Sequence, residues 1–189
     1  MSSIRLFVLG TFAERGPLHG HALRLLAEEE HIDEWADVTP GAVYGAIKRL
    51  AQEGLISAVR VEREGNYPER QVYEITEGGR VALRGIRADA LSEIVYRPDP
   101  FDLAMSRLGT ENLDELGETI EARLAELRGR LDADEVQFGR IVQHLTVTEQ
   151  LVYRHDRHRF LAEIAWHEEL LAALPEILED ERSRKGRIS

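Results

Sequence analysis

The 189-residue chain contains no cysteine. This excludes disulfides, thiolate nucleophiles, iron–sulfur clusters and cysteine-ligated zinc. No run approaches the ~20 apolar residues of a membrane helix. Nor does the chain contain a glycine-rich phosphate loop, a Gly-x-Ser-x-Gly elbow or a His-Glu-x-x-His pair. Its carboxylates fall in runs such as Glu28-Glu29-Glu30 and Glu168-Glu169, which read as solvated helix faces. The expectation is a protein that is not an enzyme and needs no cofactor. The nearest approach to a leader is Ile4 to Ala13, but Glu14 and Arg15 follow at once and no Ala-x-Ala site is present. That segment reads as a first helix, and the compartment expected is the reducing cytoplasm.

What is present is a globular composition, 43% apolar and 31% charged. Twenty-four basic residues against 35 acidic ones leave a net charge of −11, which argues against indiscriminate nucleic-acid binding. The charge is uneven, however. Between Thr39 and Arg87 eight basic residues outnumber six acidic ones. Local field decides where a phosphate backbone can lie.

The chain divides by pattern into residues 1–91, a linker at 92–100 around Arg97-Pro98-Asp99-Pro100, and an almost wholly helical 101–189. In the first part, Ile4, Leu6, Phe7, Leu9 and Phe12 suit a buried helix ending near Gly16-Pro17. Ala22, Leu23, Leu26 and Ala27 mark a second helix over 20–31. Thr39-Pro40-Gly41 reads as an N-cap hydroxyl followed by proline at the first helical position. The third helix it opens turns Val43, Ala46, Ile47 and Leu50 inward and stops at Gly54. Leu55 to Arg63 and Gln71 to Ile75 then form a hairpin about the turn Glu64-Gly65-Asn66-Tyr67-Pro68. Thr76-Glu77-Gly78-Gly79 opens a further helix. The fold class is mainly α: an N-terminal winged helix-turn-helix with a β-hairpin wing, followed by a helical dimerisation domain.

The outer face of the third helix carries Gly41, Tyr44, Gly45, Lys48 and Gln52, with Arg49 at its margin. Two glycines, an aromatic and a lysine make a poor solvent-facing stripe. They suit a helix seated deep in a major groove, where small residues allow close approach and polar ones reach bases. Arg60, Arg63 and Arg70, with Asn66 near the hairpin tip, are placed to clamp the adjacent backbone or minor groove. The plainer reading is a solvated face with incidental glycines.

Four segments carry a resemblance. They are Leu18-His19-Gly20-His21, Thr39-Pro40-Gly41-Ala42-Val43-Tyr44, the run from Lys48 to Ile56, and Tyr73-Glu74-Ile75-Thr76-Glu77-Gly78-Gly79-Arg80. In order and spacing over the first ~85 residues they resemble the PadR family of transcriptional regulators. Asp99-Pro100-Phe101 and the helices after it are similar to the larger PadR subfamily with a helical C-terminal domain. The resemblance implies a cytoplasmic homodimer that binds palindromic operator DNA, usually as a repressor, and releases it on binding a small molecule. By position it implies that Thr39, Tyr44 and Lys48 face DNA and that residues 60–70 form the wing. The chain departs from the family at His21, where tyrosine or phenylalanine is usual, and at Gly45, where proline is frequent.

In the second half, Leu113, Leu116, Ile120, Leu124, Leu127 and Leu131 keep helical spacing after a cap at Thr110 or Asn112. From Thr148 towards Pro175 a heptad seam joins Tyr153, Arg157, Phe160, Ile164, His167, Leu171, Leu174 and Leu178. Leu161, Ala165 and Leu170 add a second apolar edge. A helix with two apolar edges buries one in its own protomer and one elsewhere, so Tyr153, Phe160, Ile164, Leu171 and Leu174 are assigned to a two-fold interface. A monomeric helical hairpin is the alternative. Trp166, in the same helix, is the candidate for stacking an effector, with ordinary packing as the plainer view. His155 and His158 lie three apart and His19 and His21 two apart, but a metal site needs three or four converging ligands. No metal is expected. Two other readings stay open: a metal-sensing regulator, and a winged-helix adaptor that binds protein rather than DNA.

Overall fold

Helical spacing of apolar residues starts the chain in α1 (Ser3–Arg15), where Val8, Leu9 and Phe12 are fully buried. The computed structural model describes residues 3–63, 69–95 and 98–185, without the side chains of residues 34, 35, 110 and 185. Asn66 and the Trp35 side chain, both singled out above, lie outside the described residues. Contacts divide the chain into two units, Met1–Tyr96 and Arg97–Ser189.

In the first unit, α1 is followed by β1 (Leu18–His19) and α2 (Gly20–Glu29). His19 caps α2: its Nδ1 accepts the Ala22 N–H at 2.9 Å. Helix α2 buries Leu23 and Ala27 and ends two residues before the expected His31. The four-residue α3 (Ile32–Trp35) has no counterpart in the sequence reading and places Ile32 in the core. Next comes α4 (Ala42–Gln52), the expected third helix, with Val43, Ala46, Ile47 and Leu50 buried as the spacing predicts.

Its start differs from expectation. The cap position belongs to Gly41, which has no side chain to offer, and not to Thr39. The chain is already turned through Pro40 and Gly41, so the Ala42 and Val43 amides reach the Thr39 and Pro40 carbonyls at 2.9 and 3.3 Å. A hydroxyl cap is not needed there. At the other end, Gly54 takes φ +71°. The Gly54 amide donates to the Ala51 carbonyl and the Leu55 amide to the Leu50 carbonyl, closing the helix with a Schellman motif.

Strands β2 (Ile56–Glu62) and β3 (Arg70–Ile75) pair antiparallel, and β1 joins the far side of β3 to give the order β1-β3-β2. Sequence reading missed β1, because two residues carry no alternation. Register runs from Ile56 opposite Ile75 to Ala58 opposite Tyr73, then slips so that Arg60 faces Val72. Such a bulge bends and twists the wing strand. Thr76 caps α5 (Glu77–Ser92), its hydroxyl accepting the Gly79 N–H at 3.0 Å. The core of the unit gathers Leu9, Phe12, Leu23, Val43, Leu50, Ile56 and Leu83 from α1, α2, α4, β2 and α5. Truncating any fully buried one to alanine costs about 2–5 kcal/mol. The class is mainly α, a winged helix with a small antiparallel sheet.

The second unit is helical. Pro100 opens α6 (Pro100–Met105) rather than only interrupting the chain, since Asp99 caps it by accepting the Phe101 N–H at 2.8 Å. Thr110 and Asn112 fall in a short 3-10 turn, and α7 (Leu116–Ile141) starts after Glu115, well beyond the expected caps. Helix α8 (Val147–Lys185) runs through Pro175. It is opened by a capping box in which Thr146 N–H and Oγ1–H both donate to Glu149 Oε2 at 2.7 Å.

Helices α7 and α8 form an antiparallel hairpin. Tyr153 packs on Phe138, Phe160 and Ile164 on the cluster of Leu124, Leu127 and Leu131, Leu171 on the same cluster, and Leu174 beside Gly117. The heptad seam is therefore the inner seam of an intrachain hairpin. Local economy explains it: α7 carries a matching apolar stripe and reaches α8 through a five-residue connection. Ion pairs Glu135–Arg157 at 2.8 Å, Arg128–Glu168 at 2.6 Å and Asp114–Arg182 at 2.9 Å border that seam.

Candidate nucleic-acid interface

Burying one stripe of α4 turns the other outward. Gly41, Tyr44, Gly45, Lys48, Arg49 and Gln52 are all exposed, as is Thr39 ahead of the helix. None of this flank packs into the protein's own core. A salt bridge steadies the end of the helix: Arg5 of α1 meets Glu53 at 2.7 Å. That hydrogen bond, before any longer-range attraction, holds the Glu53 carboxyl below the usual carboxylate range and raises the Arg5 guanidinium above its own. The Arg49 guanidinium also helps to lower Glu53. It folds back over Gly45, where an added Cβ would come within 3.5 Å of it.

Tyr44, Lys48 and Gln52 line an open groove of about 750 Å³. Arg70, Gln71 and Tyr73 of β3 form its second wall, and His19, Gly20 and His21 its end. Along that wall the Tyr73 hydroxyl donates to Gln71 Oε1 at 2.9 Å. The His19 and His21 rings stack with centroids 6.1 Å apart. The groove thus joins four residues that the sequence points to, Tyr44, Lys48, Gln52 and Arg70, to seven that it does not, Ile47 and Ala51 among them. The sequence reading places His19 and His21 in a family motif and weighs them as metal ligands, not as part of a groove. Gln71 and Tyr73 gave no signal, since only strand pairing brings β3 alongside α4.

The remaining choices lie elsewhere. Arg60 and Arg63 are exposed on β2 and just beyond its end, outside the groove lining. Arg60 Nε donates to Glu62 Oε1 at 2.6 Å, so part of its charge is already answered. Thr39, Gly41 and Arg49 flank the groove without lining it.

In the second unit, Trp166 is about one-third exposed and packs edge-on against Phe101 and His167, with centroids 5.7 and 4.9 Å away. His167 is fully buried, and its Nε2 accepts the Arg123 Nε–H at 3.0 Å. That leaves the ring proton on Nδ1, facing the Glu163 carbonyl at 2.8 Å. Arg123 also pairs with Asp99 at 3.2 Å and lies 4.1 Å over the Phe101 ring. Trp166 is thus part of a packed cluster. Among the described residues, no group of three or more histidine, aspartate or glutamate side chains converges as a metal site. No described helix is long and apolar enough to cross a membrane.

Comparison with known proteins adds the following. Residues 8–85 match the model of the transcriptional regulator PadR-like family. The structure is similar to that of Bacillus subtilis PadR in complex with operator DNA, with a TM-score of 0.69 and 22% identity, over 92% of this chain and 98% of that one. It is similar to the same protein in complex with p-coumaric acid, with a TM-score of 0.69 and 19% identity, over 92% and 99%. A PadR-like transcriptional regulator from Bacillus cereus matches with a TM-score of 0.64 and 16% identity, over 92% and 98%. At these identities the likeness is one of fold. No curated protein matches the chain by sequence.

Proposed function

We propose that the chain is a member of the PadR-like family of transcriptional regulators, whose model residues 8–85 match, and that it is a ligand-responsive repressor that binds palindromic operator DNA as a homodimer. The observation that carries this is the outer face of α4, free of its own core and opening on a groove lined by Lys48 and, from β3, Arg70. In this reading α4 enters the major groove. Tyr44, Gln52 and Thr39 meet base edges, with Gly41 and Gly45 allowing the approach. Lys48 and Arg49 meet phosphates, and Arg60, Arg63 and Arg70, with Asn66, hold the flanking backbone.

One winged helix touches one half-site, so a palindrome calls for two copies. The seam of Tyr153, Phe160, Ile164, Leu171 and Leu174 is used within the chain. The partner therefore meets the outer face of α8, where Val147, Leu151, Val152 and Leu161 are exposed. Bacillus subtilis PadR in complex with p-coumaric acid supports a small-molecule effector here as well, with Trp166 the first side chain to substitute. An effector that shifts the helical units changes the spacing of the two α4 helices and mis-registers one half-site on a rigid duplex. A regulator of this kind works in the cytoplasm.

A mobility-shift titration tests the reading, using duplex DNA from immediately upstream of the chain's own coding region. Binding should weaken steeply with salt. Lys48→Ala should lower the slope of log affinity on log salt by about 0.9, one phosphate contact. Absence of binding by the unmodified protein, or a slope near zero, overturns the reading.

A further inference from the structure

The sequence singles out Gly41 and Gly45 as the small residues of the reading helix. A Cβ at Gly41 meets nothing within 4 Å, and one at Gly45 meets only the end of Arg49 at 3.5 Å. Gly20, on a different helix, is the crowded one. A Cβ there would lie 3.1 Å from Tyr44 Cε1, 3.2 Å from Tyr44 Cδ1 and 3.2 Å from Ile47 Cδ1.

The backbone at Gly20 has little freedom to withdraw. Immediately before it, Leu18 pairs with Tyr73 and His19 with Val72 on the central strand. Immediately after it, the His19 ring holds the Ala22 amide and so fixes the first turn of α2. Of the two side chains resting on it, Ile47 is 5% exposed and locked among core neighbours, whereas Tyr44 is 49% exposed at the groove. A methyl group at position 20 is accommodated by moving the tyrosine ring, because only the ring has open space to move into.

Resting on the DNA reading above, we propose that Gly20 is a positioning residue that aims Tyr44 into the groove and thereby helps set which bases the protein selects. It touches no base itself. The flat backbone at the start of α2 is a ledge for the ring, and the ring's tilt decides where its hydroxyl meets the duplex.

The test is selection from a pool of random-sequence duplexes by the full chain, as wild type, Gly20→Ala, Tyr44→Ala and the double variant. Wild type should enrich one motif. Gly20→Ala should change base preference roughly fivefold or more at the same positions that Tyr44→Ala alters. In the Tyr44→Ala background the Gly20 substitution should add nothing. A Gly20→Ala variant that enriches the wild-type motif with wild-type affinity overturns the proposal and leaves the DNA reading standing. So does an effect additive with that of Tyr44→Ala. Failure of the wild type to enrich any motif removes the DNA reading itself, and the proposal with it. The unmodified protein supplies a second readout. Nuclear Overhauser contacts between the Gly20 α-protons and the Tyr44 ring should be seen, and their absence overturns the proposal even where Gly20→Ala does not fold.

Discussion

At Gly79 a single hydrogen atom decides whether α5 can pack. A Cβ built there would lie 2.0 Å from the Leu55 carbonyl oxygen and 2.7 Å from Ile75 Cγ1. Neither can yield easily, since one is backbone and the other belongs to a buried side chain at the sheet. Gly79→Ala should therefore lower unfolding stability by about 2 kcal/mol or more, read as an earlier chemical denaturation midpoint with unchanged slope. Gly85, on the same helix, has nothing within 4 Å of its built Cβ. Alanine there should be neutral or stabilise by a few tenths of a kcal/mol. Sequence places both glycines in a helix and does not separate them. The separation comes from Leu55, a residue 24 positions away that the turn after α4 brings against α5.

Among elements, α8 shows how a helix terminus is held by chemistry on both sides of the first turn. The Thr146 hydroxyl and amide hydrogen bonds to Glu149 hold that carboxyl below its usual 4.5. The charged form is thus favoured in the folded protein. Its contribution is present at neutral pH and above 4.5, and is lost as pH falls through the lowered folded value. Glu149→Gln should flatten this part of the acid limb of a stability–pH curve, measured by thermal unfolding between pH 3 and 7. Thr146→Ala should cost about 1 kcal/mol at neutral pH. The sequence reading starts this helix at Thr148 and leaves the Thr-x-x-Glu signature at 146–149 unused, although both partners lie within one turn. What covers the apolar seam of the same helix is not legible in this way. Periodicity names the apolar face of α8 but not what covers that face, and α7 offered the nearer cover. Pro175, towards which the sequence pattern runs this helix, is carried through. Leu174, Ile177 and Leu178 are half-buried around it, and Arg182 is paired with Asp114 beyond it.

For the whole molecule, charge and assembly set the behaviour that a titration will see. A net charge of −11 repels DNA at long range, while the stretch from Thr39 to Arg87, with its basic excess, offers the local attraction. Binding by one copy should be weak and two linked half-sites much stronger. If the outer face of α8 holds the copies together, Leu151→Glu with Leu161→Glu should give a monomer by light scattering. Its circular dichroism should be unchanged, because both residues are at least one-third exposed already. Affinity for a two-half-site duplex should fall at least tenfold, while affinity for a single half-site stays the same. A dimer that survives both substitutions places the interface elsewhere.

The sequence by itself determined which residues face inward on α2 and α4, part of the inward set on α1 (without Val8) and on α8, and which flank of α4 stays polar. Those follow from helical periodicity and from glycine and proline at element ends, and all act within a few residues along the chain. Only the tertiary structure decided that β1 pairs with β3, that α7 covers the α8 seam, and that Gly20 lies against Tyr44. Each of those joins residues far apart in sequence. Which partner a face finds depends on the path of the chain between them, and local pattern carries no record of that path.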